Sequence, residues 1–293
     1  MQQDPGLLSI DLHFYRSAYP DLQGLDDQGL MQHYQRHGEA EGRIASSFAT
    51  REGFFSILQP SDDILEIGPF TNPLVCGPRV RYFDVMDKPA LIARALEHKR
   101  SIELARDIDY VSPSGDLSII TDARFDVVLS SHCIEHQPDL VRHLRQVGDI
   151  LKPGGYYLLI VPDKRFCFDH YIAESSLADV LCAHHEQRRV HSLASVLEHK
   201  LLTTHNDPMR HWYGDHGETA VARDPQALER AMEEYRAAQG AYIDVHAWQF
   251  TPRSLRQIVG QLHQAGLVQL QVEHAFGTPV NALEFCAVLR KPA

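Results

Sequence analysis

The sequence of 293 residues predicts an α/β protein built on a doubly wound, mainly parallel sheet. Apolar runs that suit buried strands alternate with helical stretches along most of the chain, as in consecutive βαβ units. The last two runs are joined by a short link at 277–279, so they are predicted to be antiparallel neighbours. The predicted strands are 63–67, 80–84, 107–111, 125–130, 155–161, 267–275 and 282–289.

Helical patterns complete the prediction. Helices are expected at 88–99, 138–151 and 252–265. A His-rich, mostly helical insertion at about 164–245 interrupts the main domain, which is predicted to span 55–293. A separate helical unit at 9–48 is too short to bury a core alone, so it is expected to pack on the main domain or on a partner.

Composition narrows the classes of partner. The net charge of −11 argues against broad nucleic-acid or anionic-membrane binding, because phosphate-rich partners need a concentrated basic surface. A small-molecule or neutral glycan substrate fits better. Five scattered cysteines without a C-x-x-C pair suit a reducing compartment. With no apolar secretion signal and no long apolar run, the sequence predicts a soluble cytoplasmic protein.

The first predicted crossover carries the strongest local signal. An apolar run ends at Gly68 and enters a proline-framed turn, where main-chain N–H groups can approach a ligand. Phe70 stands where a second glycine is usual, so an ordinary β-turn is the competing interpretation. Asp84 ends the next strand, where a carboxylate can accept hydrogen bonds from ribose hydroxyls, although Asp87 is a rival and a solvated strand-end aspartate is the plain alternative.

Several motifs together are more specific than this turn. They are Leu-Glu-Ile-Gly-Pro at 65–69, Asp84 after the second strand, Phe-Asp-Val-Val at 125–128, Ser-x-x-x-Glu-His at 131–136 and Leu-Lys-Pro-Gly-Gly at 151–155. The combination resembles class I S-adenosylmethionine-dependent methyltransferases over about residues 60–290, with the insertion between. A dehydrogenase is disfavoured because no full G-x-G-x-x-G is present.

The resemblance implies a Rossmann-like methyltransferase fold, S-adenosylmethionine as the cofactor and a set of positions around it. Residues of the first turn would lie near the methionine part, Asp84 would hold the ribose, the 115–117 loop would touch adenine and the loop after the fourth strand would flank the sulfonium. The implied cofactor-binding residues are Glu66, Gly68, Pro69, Asp84, Asp116, Leu117, Ser131, His132 and His136.

An alcohol acceptor requires a general base or a metal, because a hydroxyl group is a poor nucleophile near neutral pH. The predicted catalytic residues are Asp163, directly after the fifth strand, His246, just before a helix start, and His216, within an aromatic-polar segment of the insertion. Each histidine could equally be a surface or capping residue. The insertion could be a lid over the substrate or a peripheral packing subdomain.

No metal ligand is assigned from the sequence. Several histidines and carboxylates share the insertion, so a metal stays open as an alternative. However, His184 and His185 are adjacent and point apart on a helix, and no H-E-x-x-H run is present.

The leading functional hypothesis is methyl transfer to a hydroxyl group of a sugar or surface-glycan intermediate. The 161–169 segment and the later His246-x-Trp-x-Phe-Thr-Pro resemble a methyltransferase subgroup that accompanies glycan assembly. The 9–48 unit resembles a helical module of bacterial glycosyltransferases, which implies glycan-assembly proteins as partners. The alternatives are a methyltransferase for a small metabolite or a protein side chain, and a non-catalytic cofactor-fold binding module.

Overall fold

The computed structural model describes residues 10–293 and contains one seven-stranded sheet in the order β3-β2-β1-β4-β5-β7-β6. β7 runs antiparallel to both of its neighbours, and the pairs from β3 to β5 are parallel. The predicted doubly wound, mainly parallel sheet and its antiparallel final pair are therefore confirmed. The strands are β1 Ile64–Ile67, β2 Val80–Asp84, β3 Tyr110–Val111, β4 Phe125–Ser131, β5 Leu151–Pro162, β6 Gln271–Ala275 and β7 Glu284–Arg290.

Only β2 has the predicted bounds, and the largest differences are at the starts of β3, β5 and β6. β5 begins at Leu151, four residues early, because Leu151 pairs with Phe125 and a register shift then accommodates the Pro-Gly-Gly segment before Tyr156 pairs with Val127. That segment is thus a bulge within the strand, which suits its glycines. β3 begins three residues later than predicted; just before it, the Asp109 side chain accepts the Tyr82 N–H at 2.8 Å and the Asp109 main-chain N–H donates to the Tyr82 carbonyl at 3.0 Å.

Helices cover both faces of the sheet, as a doubly wound fold requires. Adjacent residues of the interior strand β5 enter different cores: Leu159 packs in the core beneath the helices at 140–150 and 252–264, and Leu158 packs in the core that includes Phe54. Each fully buried leucine of this kind contributes about 1.5–3 kcal/mol. The helices outside the insertion are α1 Leu12–Ala18, α2 Asp27–His33, α3 Arg51–Phe54, α4 Lys88–Glu97, α5 Leu140–Ile150 and α11 Pro252–Gln264.

The segment predicted as an insertion, 164–245, contains five helices and contacts the main domain. The Trp212 ring stacks on Phe166 with centroids 3.8 Å apart, and its indole N–H donates to the Ala282 carbonyl at 2.9 Å. Just after this segment, the Trp248 indole donates to the Gln137 carbonyl after β4 at 2.7 Å. The insertion helices are α6 Leu177–His185, α7 Leu193–Leu202, α8 Pro208–Trp212, α9 Ala220–Arg223 and α10 Ala227–Ala238.

The N-terminal helical unit has a small core of its own, with Tyr15, Leu22 and Leu30 fully enclosed. It contacts the main domain at the link between β6 and β7, where the Val280 N–H donates to the Gly42 carbonyl at 2.9 Å. Ser9, the first residue of the predicted unit, and the polar N-terminal residues lie outside the described part of the chain. Within residues 10–293, no helix is both long and apolar enough to cross a bilayer.

Candidate active site

The turn after β1 has the open backbone expected of a ligand floor. Gly68 adopts a φ of +71° and is exposed, while Ile67 and Pro69 on either side are buried. A Cβ on Gly68 would meet nothing closer than the Cys133 Sγ at 3.7 Å, so the surface above the turn is free. Phe70 adopts a left-handed φ of 50°. The missing second glycine therefore does not change the turn's backbone shape, because the phenylalanine takes the conformation that glycine favours.

Glu66 lies under this turn. Its carboxylate accepts the main-chain N–H groups of Leu74 at 2.8 Å and Val75 at 3.3 Å. Burial raises the pKa of Glu66 to about 7, against the opposing effect of those hydrogen bonds. The side chain thus holds the loop that follows Pro69 in place.

Asp84 connects the end of β2 to the same turn. Its carboxylate accepts the N–H groups of Val85 at 2.7 Å and Phe70 at 3.3 Å, and burial raises its pKa. Its rival Asp87 caps α4 by accepting the Ala90 N–H at 3.0 Å. The capping contact accounts for Asp87 without a ligand, so Asp84 remains the better candidate for the ribose.

The implied adenine loop is ordered by α5. Asp116 accepts the Ser118 N–H at 3.0 Å and the Gln146 amide at 2.5 Å, and its bonds to Ser118 are foremost in lowering its pKa. Leu117 is buried, and its N–H donates to the Gln146 side chain at 3.3 Å. One glutamine therefore positions both of these residues.

The residues directly after β4 face a charged pair. The Ser131 hydroxyl accepts from Arg51 at 3.2 Å, and Arg51 also grips both oxygens of Glu284 at 2.9 Å. His132 adopts a φ of 50°, and its Nε2 lies 2.6 Å from Glu284 Oε2. Burial alone would lower the pKa of His132, but Glu284 and Glu135 raise it overall.

Of the three predicted catalytic residues, Asp163 has its oxygens already occupied. It is fully buried, it forms an ion pair with Arg165 at 2.6 Å, and it accepts the Thr278 hydroxyl at 2.6 Å. These bonds tie the end of β5 to the β6–β7 link. Because both carboxylate oxygens already have partners, Asp163 is a weaker candidate for a general base than its position at the end of β5 indicates.

His216 lies in a group of rings inside the insertion. It stacks on His170 with centroids 3.6 Å apart, and its Nδ1 lies 3.1 Å from the Nδ1 of His211. We call His170, His211 and His216 the lid cluster. Its described contacts stay within the insertion and do not include the loop after β4.

His246 does reach the loop after β4. Its Nδ1 bonds to Asp169 Oδ2 at 2.6 Å, and its Nε2 lies 3.9 Å from Glu135 Oε1. The ring also meets that of His136 edge-on, with centroids 4.6 Å apart. The sequence analysis gave Asp169 no role, and no local pattern indicates that it would meet His246.

Glu135 is the centre of this group and is also a residue that the sequence analysis did not single out for catalysis or binding. It is 1% exposed, and neither carboxylate oxygen has a hydrogen-bond partner among the described residues. Three histidine nitrogens face its Oε1 instead: Nδ1 of His132 at 3.8 Å, Nε2 of His136 at 3.9 Å and Nε2 of His246 at 3.9 Å. We call these four residues the β4-edge cluster.

Comparison with known proteins relates the chain to one family. The family described as "Methyltransferase domain" matches residues 40–272. No curated protein sequence matches the chain.

Solved structures resemble the chain at low identity. The CcbJ methyltransferase from Streptomyces caelestis is 12% identical, with 89% of this chain and 96% of that one covered and a TM-score of 0.40. The Burkholderia thailandensis 1,6-didemethyltoxoflavin-N1-methyltransferase is 14% identical, with 96% and 87% covered and a TM-score of 0.41. The glycopeptide N-methyltransferase MtfA is 22% identical, with a TM-score of 0.29. The match covers 39% of this chain and 52% of MtfA, so the chain spans about half of MtfA's length. The chain likewise spans 62% of the CurJ carbon methyltransferase.

Proposed function

The chain belongs to the methyltransferase-domain family, and from that premise we propose that it moves a methyl group from S-adenosylmethionine to a hydroxyl group of a sugar or surface-glycan intermediate. Methyl transfer follows from the family, and S-adenosylmethionine is the donor that the Rossmann-like sheet suits. The choice of a hydroxyl acceptor is supported by the β4-edge cluster. It places a buried carboxylate and three imidazoles at the ligand-facing end of β4, beside the Gly68 turn.

The nature of this cluster favours an oxygen acceptor. The methyl group of the donor is already electrophilic, so the enzyme chiefly has to align the acceptor and take up its proton. An uncharged amine can attack without prior deprotonation, whereas an alcohol needs a base or a metal. A buried group of imidazoles and a carboxylate supplies the base or the metal ligands that an alcohol acceptor needs.

The cofactor would lie across the carboxyl ends of β1, β2 and β4. Gly68 and Pro69 form the floor, the Asp84 carboxylate receives the ribose hydroxyls, and the Asp116–Leu117 loop borders the adenine. Glu66 supports the floor from below through its bonds to the following loop. Ser131, His132 and His136 line the side that faces the sulfonium.

His246 is the predicted catalytic residue whose surroundings best support a role. When its Nδ1 donates to Asp169, the neutral ring presents an unprotonated Nε2 toward Glu135. That nitrogen is available to act on the acceptor's hydroxyl group. Asp163 and His216 stay weaker proposals, because bonds with Arg165 and Thr278 occupy Asp163 and because His216 packs in the lid cluster.

A non-catalytic binding module is the competing function, and its supporting feature was the altered glycine turn. The left-handed Phe70 weakens that support, since the turn keeps an open backbone. We also propose a cytoplasmic location, because Cys76 and Cys182 are exposed free thiols. The N-terminal helical unit would bring the enzyme to glycan-assembly proteins.

Transfer of tritiated methyl groups tests the acceptor. The purified chain is incubated with labelled S-adenosylmethionine and, separately, with a glycan fraction, a small-metabolite fraction and a protein fraction of a lysate. We expect label in the glycan fraction, stable to conditions that cleave methyl esters. Exclusive labelling of protein or of small metabolites would overturn the glycan acceptor, and failure to label any fraction would favour the binding module.

A further inference from the structure

We infer that the β4-edge cluster binds one divalent first-row transition-metal ion through Glu135, His136 and His246, with His132 at the edge of the site. The inference deepens the proposed function, because it specifies how this cluster would act on a hydroxyl group. The ligand atoms of the first three residues all lie within 4.8 Å of one another. Imidazole nitrogens and a carboxylate are ligands that Zn²⁺, Mn²⁺, Fe²⁺ and Co²⁺ share.

The first argument is the solvation of Glu135. A buried carboxylate without a partner is costly, and buried charges in proteins are normally paired or bound to metal. The facing nitrogens at 3.8–3.9 Å are too distant for hydrogen bonds. Two atoms that are each about 2.1 Å from one metal ion lie roughly 3–4 Å apart, so a single ion between them would satisfy the carboxylate.

The second argument is the orientation of the histidines. Each of the three rings has its other nitrogen beside a second carboxylate: His246 Nδ1 at 2.6 Å from Asp169, His136 Nδ1 at 3.1 Å from Asp244, and His132 Nε2 at 2.6 Å from Glu284. A carboxylate in this position fixes the tautomer and directs the unprotonated nitrogen at a metal. His246 and His132 form this hydrogen bond, whereas the Nδ1 of His136 lies close to Asp244 without the geometry of a hydrogen bond.

The third argument is that two of these outer carboxylates carry their own counter-charges. Asp244 pairs with Arg94 at 2.9 Å, and Glu284 pairs with Arg51 at 2.9 Å. These two carboxylates are thus paired from outside the cluster, whereas Asp169 pairs only with His246 in the described part of the chain. Glu135 has no such arginine in its described contacts, so the missing positive charge belongs at the centre of the cluster.

A metal here would change the role of His246 from free base to ligand. An acceptor hydroxyl bound to the ion would lose its proton more readily, as metal-bound water does. Its oxygen then forms a bond to the methyl carbon as the carbon–sulfur bond breaks. The electron pair of that bond stays on sulfur, giving S-adenosylhomocysteine, and the hydroxyl proton passes to solvent.

The test measures metal directly and does not depend on finding the acceptor. The full chain, freed of any affinity tag and treated with a chelator, is titrated with Zn²⁺, Mn²⁺ and Co²⁺ and its bound metal is determined by elemental analysis. We expect one equivalent for the wild type. Visible absorption of the Co²⁺ form gives a signature of nitrogen and oxygen coordination.

Three variants locate the ion. Glu135→Gln and His246→Ala should reduce the affinity at least 100-fold, and Asp169→Asn should reduce it about 10- to 100-fold because it disturbs only the orientation of a ligand. His185→Ala is the matched control, because it removes an exposed histidine of α6 and should leave binding intact. Thermal unfolding and binding of S-adenosylhomocysteine establish that each variant is folded.

The metal site would be overturned if the folded wild-type protein bound none of the three ions stoichiometrically. Equal affinities of the wild type and the folded Glu135→Gln variant would also overturn it. Failure of the proposed function is distinguishable, since a protein that binds one metal ion at Glu135 but labels only protein or small metabolites keeps the metal site and loses the glycan acceptor.

Discussion

Two groups of histidines, the lid cluster and the β4-edge cluster, differ in what their nitrogens face. In the lid cluster, His170 donates to the Arg165 carbonyl at 2.8 Å and His211 donates to the His205 carbonyl at 3.1 Å. Main-chain oxygens therefore accept the ring N–H groups. In the β4-edge cluster, carboxylates lie on both sides of each ring. Proximity of imidazoles is therefore a poor guide to function until their partners are known.

The electrostatic consequences are opposite. Burial, followed by the neighbouring histidines, lowers the pKa of His216, and burial also lowers that of His211. The lowered pKa values favour the neutral form of these rings, which stack on one another. Burial opposes the charge of His136 too, but Asp244 and Glu135 raise its pKa overall. The lid cluster thus resembles core packing, whereas the β4-edge cluster has the charge balance of a reactive or metal-binding site.

The largest expected effect comes from removing the centre of the β4-edge cluster. Glu135→Gln or His246→Ala should lower kcat/KM for methyl transfer about 10²- to 10⁴-fold, the range for loss of a group that handles the acceptor's proton. Affinity for S-adenosylhomocysteine should change little in calorimetry, because the proposed cofactor-binding residues do not include Glu135 or His246. Unchanged turnover in both variants would move the acceptor chemistry away from this cluster.

Measuring kcat/KM of the His216→Ala variant compares the lid cluster with the β4-edge cluster. We expect a clearly smaller loss than for His246→Ala, because His216 is held by ring stacking and contacts no carboxylate of the β4 edge. An equal or greater loss, with stability unchanged, would break the comparison and return His216 to the catalytic role that the sequence predicted.

Asp84→Ala separates the cofactor half of the site from the acceptor half. Removal of charge-assisted hydrogen bonds to the ribose should cost about 1.5–3 kcal/mol per bond, or roughly 10- to 150-fold in affinity for S-adenosylhomocysteine. Metal binding at Glu135 should persist. Wild-type cofactor affinity in a folded Asp84→Ala variant would contradict the ribose role, and Asp87→Ala is the control for charge.

The smallest effect concerns the pH dependence of the lid cluster. A histidine whose pKa is lowered by folding contributes stability that is full above the unfolded pKa of about 6.5 and is lost as the pH falls below it. Urea unfolding at pH 7.5, 6.5 and 5.5 should show this loss, and His211→Gln should make the decline shallower. A variant with the same pH slope as the wild type would show that His211 titrates alike in both states.

Local sequence patterns were sufficient for much of the sheet. β2 was predicted at its observed bounds, and the antiparallel final pair followed from the short link alone. The strands could be predicted because a buried parallel strand needs a run of apolar residues whatever lies beside it. The start of β5 was predicted late, since a bulge depends on the partner strand's register.

The site was less accessible to such reasoning. The Gly68 turn and Asp84 could be proposed because strand ends in this fold converge on one edge. The left-handed conformation of Phe70 could not be predicted from the sequence. A phenylalanine in place of the usual glycine indicated a different turn, yet its backbone has the positive φ that glycine favours. Asp163 was placed at the correct edge, yet its bond to Thr278 depends on a residue far along the chain.

The sequence by itself determined the fold, the family resemblance and the edge of the sheet where chemistry should occur, because hydrophobic periodicity and strand-end glycines act locally. Only the tertiary structure decided which histidines meet a carboxylate. Asp169 of the insertion and His246, just after the insertion, meet beside Glu135, and a charge buried between segments so far apart in the chain leaves no local pattern in the sequence.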